Sequence, residues 1–339
     1  MITANHRVVV TQRFFDQATI DYLEQAGCDV VQAELPPGQA DGNLAHDELV
    51  ERLQGAAGWI VGHARVTREL MAALPELRIV SRRGVGYDRV DLGAANDLGK
   101  VVCVAVGGNH ESVADHTIAL MLAVGHRFRE MQAKMIAGDW QILLGTDLYR
   151  KTVGVIGLGR IGRSLVQRLS GFEATVLAHS NVEDPAYAEA NGVTYVGLDE
   201  LLARSDYVSV HAPLTPETRF IIGRDELASM KPGAFLINAA RGGLVDDAAL
   251  LEALRAGTIA GAGLDVFLSE SDPALKPVTE ALLARPNVVA TPHAAASSRE
   301  GLGRTNMVAA RCVVAVLDGG DPPAECVVAD GRGGASIKQ

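Results

Sequence analysis

The hexapeptide Gly157-Leu158-Gly159-Arg160-Ile161-Gly162 limits what this chain can fold into more than any other stretch. Its spacing of glycines is weak evidence alone, but its setting strengthens it. An apolar run, residues 152–156, leads in, and residues 163–169 read as a helix leaving it. A strand that turns straight into a helix needs Gly157 for the tight turn. Gly159 lets a pyrophosphate approach the backbone, and Gly162 lets helix and strand pack closely. The first-turn amides of the helix are then unpaired donors facing an anion. The chain is expected to bind a dinucleotide here.

The rest of the chain repeats that alternation. Residues 8–10, 29–33, 59–61, 78–80 and 101–104 read as short buried strands, with helices at 18–26, 46–54 and 68–74. One long helix is expected from Ser112 to about Ala137, interrupted only by Gly125, with a place at a subunit interface as one of its two readings. A second run follows: strands at 152–156, 175–178, 207–211, 234–237, 259–264 and 288–290, with helices at 198–204, 224–230, 247–256 and 301–317. Strand–helix alternation at this spacing means parallel sheets with helices on both faces, hence an α/β fold. Residues 321–339 read as a strand remnant and then a Gly-rich tail, expected to be disordered from 331 on.

Composition narrows the function. With 31 basic against 41 acidic residues the net charge is −10, which argues against nucleic acid or an anionic membrane as partner. No signal peptide and no membrane-spanning run is read. Cys28, Cys103, Cys312 and Cys326 are scattered without a CxxC pair, as in a reducing compartment, and a cytoplasmic protein is expected. Nine histidines include no HExxH and no close ligand cluster, so no metal site is expected.

Three residues downstream supply acid–base chemistry. Arg241 sits in Asn238-Ala239-Ala240-Arg241-Gly242-Gly243, Glu270 follows Asp265-Val266-Phe267-Leu268-Ser269, and His293 sits in Thr291-Pro292-His293-Ala294. A guanidinium can clamp a carboxylate with two parallel N–H bonds. An imidazole can give or take a proton near neutrality, and a carboxylate can hold it in place. These are the groups needed to oxidise a 2-hydroxy acid or reduce a 2-oxo acid, with the hydride passing to the dinucleotide. The acid expected about 20 residues past the glycine loop, on the ribose hydroxyls, is missing. Ser180 stands 180 − 157 = 23 residues past Gly157, and no Arg or Lys follows, so NAD and NADP both remain open.

At this point the chain resembles the D-isomer-specific 2-hydroxyacid dehydrogenase family, over about residues 8–323. The resemblance rests on the segments above, on Gly84-Val85-Gly86-Tyr87-Asp88-Arg89-Val90-Asp91, on Ser112-Val113-Ala114-Asp115-His116-Thr117, and on His211-Ala212-Pro213-Leu214-Thr215-Pro216-Glu217-Thr218. The segment from Gly138 to Gly162 is similar to the phosphoglycerate dehydrogenase branch. The resemblance implies two Rossmann-like or flavodoxin-like parallel-sheet domains with the active site in the cleft between them. Residues 1–105 plus 298–330 would form the substrate domain, 106–297 the NAD(P)-binding domain, and 331–339 a tail. It implies a homodimer built around the long helix. It further implies Arg241, Glu270 and His293 as the catalytic set, and Arg82, Val85, Gly86 and Arg241 as substrate-binding. Gly157, Gly159, Arg160, Ile161, Gly162, Ser180, Ala212, Pro213, Ala239 and Asp265 would bind the cofactor. Three departures stand out: Gly62-His63 replaces a phosphate-binding arginine, Ser271 replaces a proline, and no C-terminal regulatory domain is expected. Corepressors of the same fold are the alternative class. Formate dehydrogenases carry glutamine where this chain has Glu270.

Overall fold

The computed structural model describes residues 6–333. The chain divides into two compact units, residues 1–109 with 298–339, and residues 110–297. The first opens with β1 (Arg7–Val10), α1 (Gln17–Gln25), β2 (Asp29–Gln32), α2 (His46–Leu53), β3 (Gly58–Val61), α3 (Arg68–Ala73), β4 (Ile79–Arg82), α4 (Leu92–Asp97) and β5 (Val101–Val104). The second unit begins with α5 (His110–Gly125) and α6 (Phe128–Ile136), then β6 (Thr152–Ile156), α7 (Arg160–Leu169), β7 (Thr175–His179), α8 (Pro185–Asn191) and β8 (Val193–Tyr195). It continues with α9 (Leu198–Arg204), β9 (Tyr207–Val210), α10 (Arg224–Ser229), β10 (Phe235–Asn238), α11 (Asp247–Ala256), β11 (Gly261–Leu264), α12 (Lys276–Leu283) and β12 (Val288–Ala290). The chain returns to the first unit with α13 (Arg299–Leu317) and β13 (Val327–Asp330).

The first sheet has the order β13-β5-β4-β3-β1-β2, parallel except for β13, which runs antiparallel along β5. The second has the order β12-β11-β10-β9-β6-β7-β8, all parallel, with its first strand β6 in the interior. Both are doubly wound α/β sheets, reversing at β1/β3 and at β6/β9. Strands of such sheets are apolar on both faces because helices cover both. In the first unit Val8, Val10, Ile60 and Ile79 pack with Val313 and Val316 of α13, while Val9, Trp59, Val61 and Val80 pack with Leu53, Leu70 and Met71. Helix α5 approaches β11 because that strand carries glycine on the facing side: a Cβ on Gly263 would stand 2.9 Å from the Leu120 Cβ.

Two expectations fail. The single helix of residues 112–137 is two helices, broken where Arg127 takes a left-handed φ of 57°. The segment around Thr146 crosses there, donating its amide to the Gly125 carbonyl at 2.9 Å. A Cβ on Gly125 would come within 2.3 Å of the Tyr207 hydroxyl, so the crossing needs glycine. The Gly-rich tail is not disordered from 331. Residues 331–333 form a helical turn, with Arg332 bonded to Asp330 and Asp321 and to the Gly320 carbonyl. Residues 334–339 of that expected tail lie outside the described residues. Helices α4, α8 and α12 and strand β8 went unread in the sequence; each is eight residues or shorter. Among the described residues no helix is long and apolar enough to cross a membrane, and no group of three or more His, Cys, Asp or Glu side chains could hold a metal ion.

Candidate active site

The glycine loop follows β6 as its sequence requires. Gly157 has φ 95°, and a Cβ there would lie 2.8 Å from the His211 carbonyl and the Ala212 amide. Only glycine fits both constraints. A Cβ on Gly162 would come within 2.4 Å of the Gly157 oxygen. Gly159 differs: a Cβ there would meet nothing within 4 Å. No protein atom explains that glycine, whereas a close-lying pyrophosphate would. Gly159 also caps α7 and has no side chain to accept from the first-turn amides of Arg160, Ile161 and Gly162. These residues fit a dinucleotide phosphate.

Ser180 is half-buried just past β7. The nearby Asp184 cannot supply the missing ribose carboxylate, because it caps α8 and pairs with Arg163 at 2.9 Å. Those contacts, the Tyr187 amide foremost, hold its pKa below the usual carboxylate value. Ala212 and Pro213 continue from β9, with Pro213 exposed, and Ala239 is buried at the tip of β10. His211 turns back toward the strand. Its Nε2 meets the Ser209 hydroxyl at 2.8 Å, its Nδ1 is buried without a partner, and burial pushes its pKa down to about 4.

Arg241 stands on a loop tied by Asn238, which accepts from the Ala240 amide at 3.1 Å and donates to the Arg241 carbonyl at 3.0 Å. The guanidinium donates to the Ala240 carbonyl at 2.7 Å. Gly242 then presses on the next segment, since a Cβ there would lie 2.2 Å from the Phe267 oxygen. That segment is the turn carrying Glu270. Asp247 fastens it from α11, accepting from the Leu268 amide at 2.9 Å. Burial raises the pKa of Asp247 to about 6.

Glu270 uses both oxygens. One accepts from the Phe267 amide at 2.8 Å, and the other meets His293 Nδ1 at 2.7 Å. A carboxylate only accepts, so the bond puts the proton on Nδ1 and leaves Nε2 as the nitrogen that can exchange one. Both side chains are about one-third exposed, so solvent can reach them. His293 sits at φ 53°, a conformation a non-glycine residue rarely adopts.

Asp265 explains how His293 stays there. It is fully buried, and its carboxylate accepts from the Ala294 and Ala295 amides at 2.7 and 2.9 Å and from the Thr291 hydroxyl at 2.5 Å. Its backbone oxygen accepts from the His293 amide at 2.7 Å. The carboxylate of this expected cofactor-lining residue is therefore engaged in shaping the His293 loop. His116, whose motif sits in α5, adds a bond from Nε2 to the Thr291 hydroxyl at 2.8 Å. Asp247, Thr291 and Asn238 went unread as site residues. Asn238 and Thr291 carried a signal in their places, three residues before Arg241 and two before His293.

Arg82, Val85 and Gly86 belong to the other unit, at and just past the end of β4. Arg82 is buried and donates to the Gly62 carbonyl; Val85 and Gly86 are half-buried.

Residues 118–295 match the family model of the D-isomer specific 2-hydroxyacid dehydrogenase NAD binding domain. The chain is 39% identical over 316 residues to a D-3-phosphoglycerate dehydrogenase of Archaeoglobus fulgidus, covering 92% of this chain but only 58% of that relative. It is 36% identical to a glyoxylate reductase of Korarchaeum cryptofilum, covering 94% of each. Among solved structures, a protein of Thermus thermophilus superposes with a TM-score of 0.82 at 38% identity, over 95% of this chain and 99% of that one.

Proposed function

Because the chain belongs to the D-isomer specific 2-hydroxyacid dehydrogenase family, we propose that it transfers a hydride between C2 of a D-2-hydroxy acid or 2-oxo acid and NAD or NADP. The observation that carries this reading is the 2.7 Å bond from Glu270 to His293 in the unit that also holds the glycine loop and Arg241. The nicotinamide, when bound, supplies or accepts the hydride. Arg241 clamps the substrate carboxylate and so orients C2, which is where positioning contributes most. In reduction, the doubly protonated His293 donates from Nε2 to the ketone oxygen, and Glu270 stabilises the imidazolium beforehand. Oxidation reverses the proton's path. Such acid–base help is worth on the order of 10²–10⁴-fold.

A cytoplasmic homodimer completes the reading. The dimer is supported by α6, which buries none of its residues, and by the segment beyond it. Phe128, Met131, Met135, Ile136 and Trp140 line an open groove of about 530 Å³, and Ile142 and Leu144, next along the chain, are 89% and 90% exposed. Apolar surface so concentrated marks an interface, and a second copy of the same surface is its fitting occupant. The cytoplasm is supported by four free thiols, all buried.

The test is turnover of glyoxylate, pyruvate, hydroxypyruvate and 3-phosphohydroxypyruvate with NADH and with NADPH. At least one oxo acid should oxidise NADH. NADPH should serve measurably, since no carboxylate at Ser180 repels its phosphate. No turnover with any pair would overturn the reading.

A further inference from the structure

Helix α5 packs both on the helix that leaves the glycine loop and on the strand that ends at Asp265. Its Val113, Ala114, Ile118 and Met121 share one apolar cluster with Leu165, Val166 and Leu169 of α7. Its Leu120 lies against Gly263 of β11. A helix gripped on two sides is a fixed support within the second unit. His116 stands on it, and its Nε2 meets the Thr291 hydroxyl, 175 residues further along the chain, at 2.8 Å. Leu264 of β11 pairs with Ala290 of β12, so the next residues, Asp265 and Thr291, fall side by side.

The direction of every bond in this chain of groups is fixed. The Asp265 carboxylate only accepts, so the Thr291 hydroxyl spends its single proton on it at 2.5 Å. A hydroxyl whose proton is spent can only accept, so His116 must donate, and its proton sits on Nε2. His116 Nε2 is 3.7 Å from the Asp265 oxygen, too far for a direct bond, so the hydroxyl is the link. Asp265 in turn accepts from the amides of the two residues that follow His293, at 2.7 and 2.9 Å.

We infer that His116 is a positioning residue: through Thr291 and Asp265 it sets where the His293 imidazole stands relative to the glycine loop that α5 also supports. The inference rests on the function proposed above, in which proton and hydride must reach one substrate in one geometry. Without the His116 bond the Asp265 clamp remains, but the loop is no longer tied to the helix. Proton transfer should then suffer while dinucleotide binding does not.

The first arm of the experiment measures kcat, oxo-acid KM and NADH affinity, with the oxo acid turned over best, in wild type, His116→Ala, His116→Gln, Thr291→Val and the combined His116→Ala with Thr291→Val. His116→Ala should lower kcat roughly tenfold and leave NADH affinity unchanged. His116→Gln, whose carboxamide N–H can serve Thr291, should return kcat to within about threefold of wild type. Adding His116→Ala to Thr291→Val should cost no more than about twofold further, because the partner of the bond is already gone. An unchanged kcat in folded His116→Ala, an equal loss in the glutamine variant, losses that multiply in the combined variant, or NADH affinity falling in step with kcat would each overturn the inference. The second arm needs no turnover: NMR of isotopically labelled histidine nitrogens reads the tautomers at neutral pH. The signals lost in His116→Gln identify His116, which should carry a proton on Nε2. Those lost in His293→Gln identify His293, whose signals should shift in His116→Ala. A bare Nε2 on His116, or His293 signals that stay in place, would also overturn it. If no oxo acid is turned over, the proposed function fails, while the NMR arm still judges His116.

Discussion

Glu270 has two acceptor oxygens and two donors to serve, the Phe267 amide and His293 Nδ1. Glutamine can still accept from the Phe267 amide, but its NH2 then faces Nδ1 and leaves the imidazolium proton there without an acceptor. Glu270→Gln should therefore lose kcat on the order of 10²-fold or more while NADH binding stays within about twofold of wild type. Steady-state kinetics beside a fluorescence titration of NADH checks this, and a kcat close to wild type would remove Glu270 from the mechanism. The strained backbone of His293 belongs to the same scale. A left-handed non-glycine residue costs on the order of 1–3 kcal/mol and persists only where its surroundings over-determine it. Here the Asp265 carbonyl, carboxylate and loop amides do so.

At the scale of elements, the tip of β9 and the start of α11 each carry a group whose protonation is coupled to folding. His211 has an ordinary pKa near 6.5 and about 4 in the fold. Above 6.5 both states are neutral. Between 6.5 and about 4 the unfolded chain takes up a proton that the folded one refuses, so this stability is lost as pH falls through the window. Asp247 acts in the opposite sense: its pKa rises from 3.8 to about 6, so its contribution falls as pH rises between them. Comparing wild type with a single variant cancels Asp247. His211→Gln, which can still bond Ser209, should remove a loss of about 2 kcal/mol between pH 6.5 and pH 5. Urea unfolding at both pH values measures it, and identical pH dependence in the two proteins would show that His211 protonates freely in the fold.

For the whole molecule, the exposed apolar segment after α6 is the feature one chain alone cannot justify. Ile136 and Trp140 are 81% and 75% exposed, beside the still more exposed Ile142 and Leu144. Placing two charges there, Ile142→Glu with Leu144→Glu, should convert the proposed dimer to a monomer that keeps its fold. Sedimentation velocity together with circular dichroism reads both. A monomeric wild type, or a variant that sediments as wild type does, would discard the interface.

Local physics made much of this protein legible in advance. A β–turn–α unit on glycines needs only backbone sterics, so the loop at 157–162 and the alternation around it could be read from spacing. Parallel strands apolar on both faces announce themselves as short apolar runs, and all but the three-residue β8 were read. The candidate set of Arg241, Glu270 and His293 could be picked out because its chemistry is rare in combination. Their geometry could not. Glu270 and His293 are 23 residues apart in sequence, and what joins them is the clamp of Gly242 on Phe267 and of Asp265 on residues 294 and 295. The break at Arg127 was hidden for a similar reason: the helical pattern runs through it, and only the crossing of Thr146 over Gly125 stops it. The clamping role of Asp265 carried no signal at all. A buried carboxylate looks like any surface aspartate until the fold brings two amides and a hydroxyl around it, because long-range donors exist only once the strands have paired.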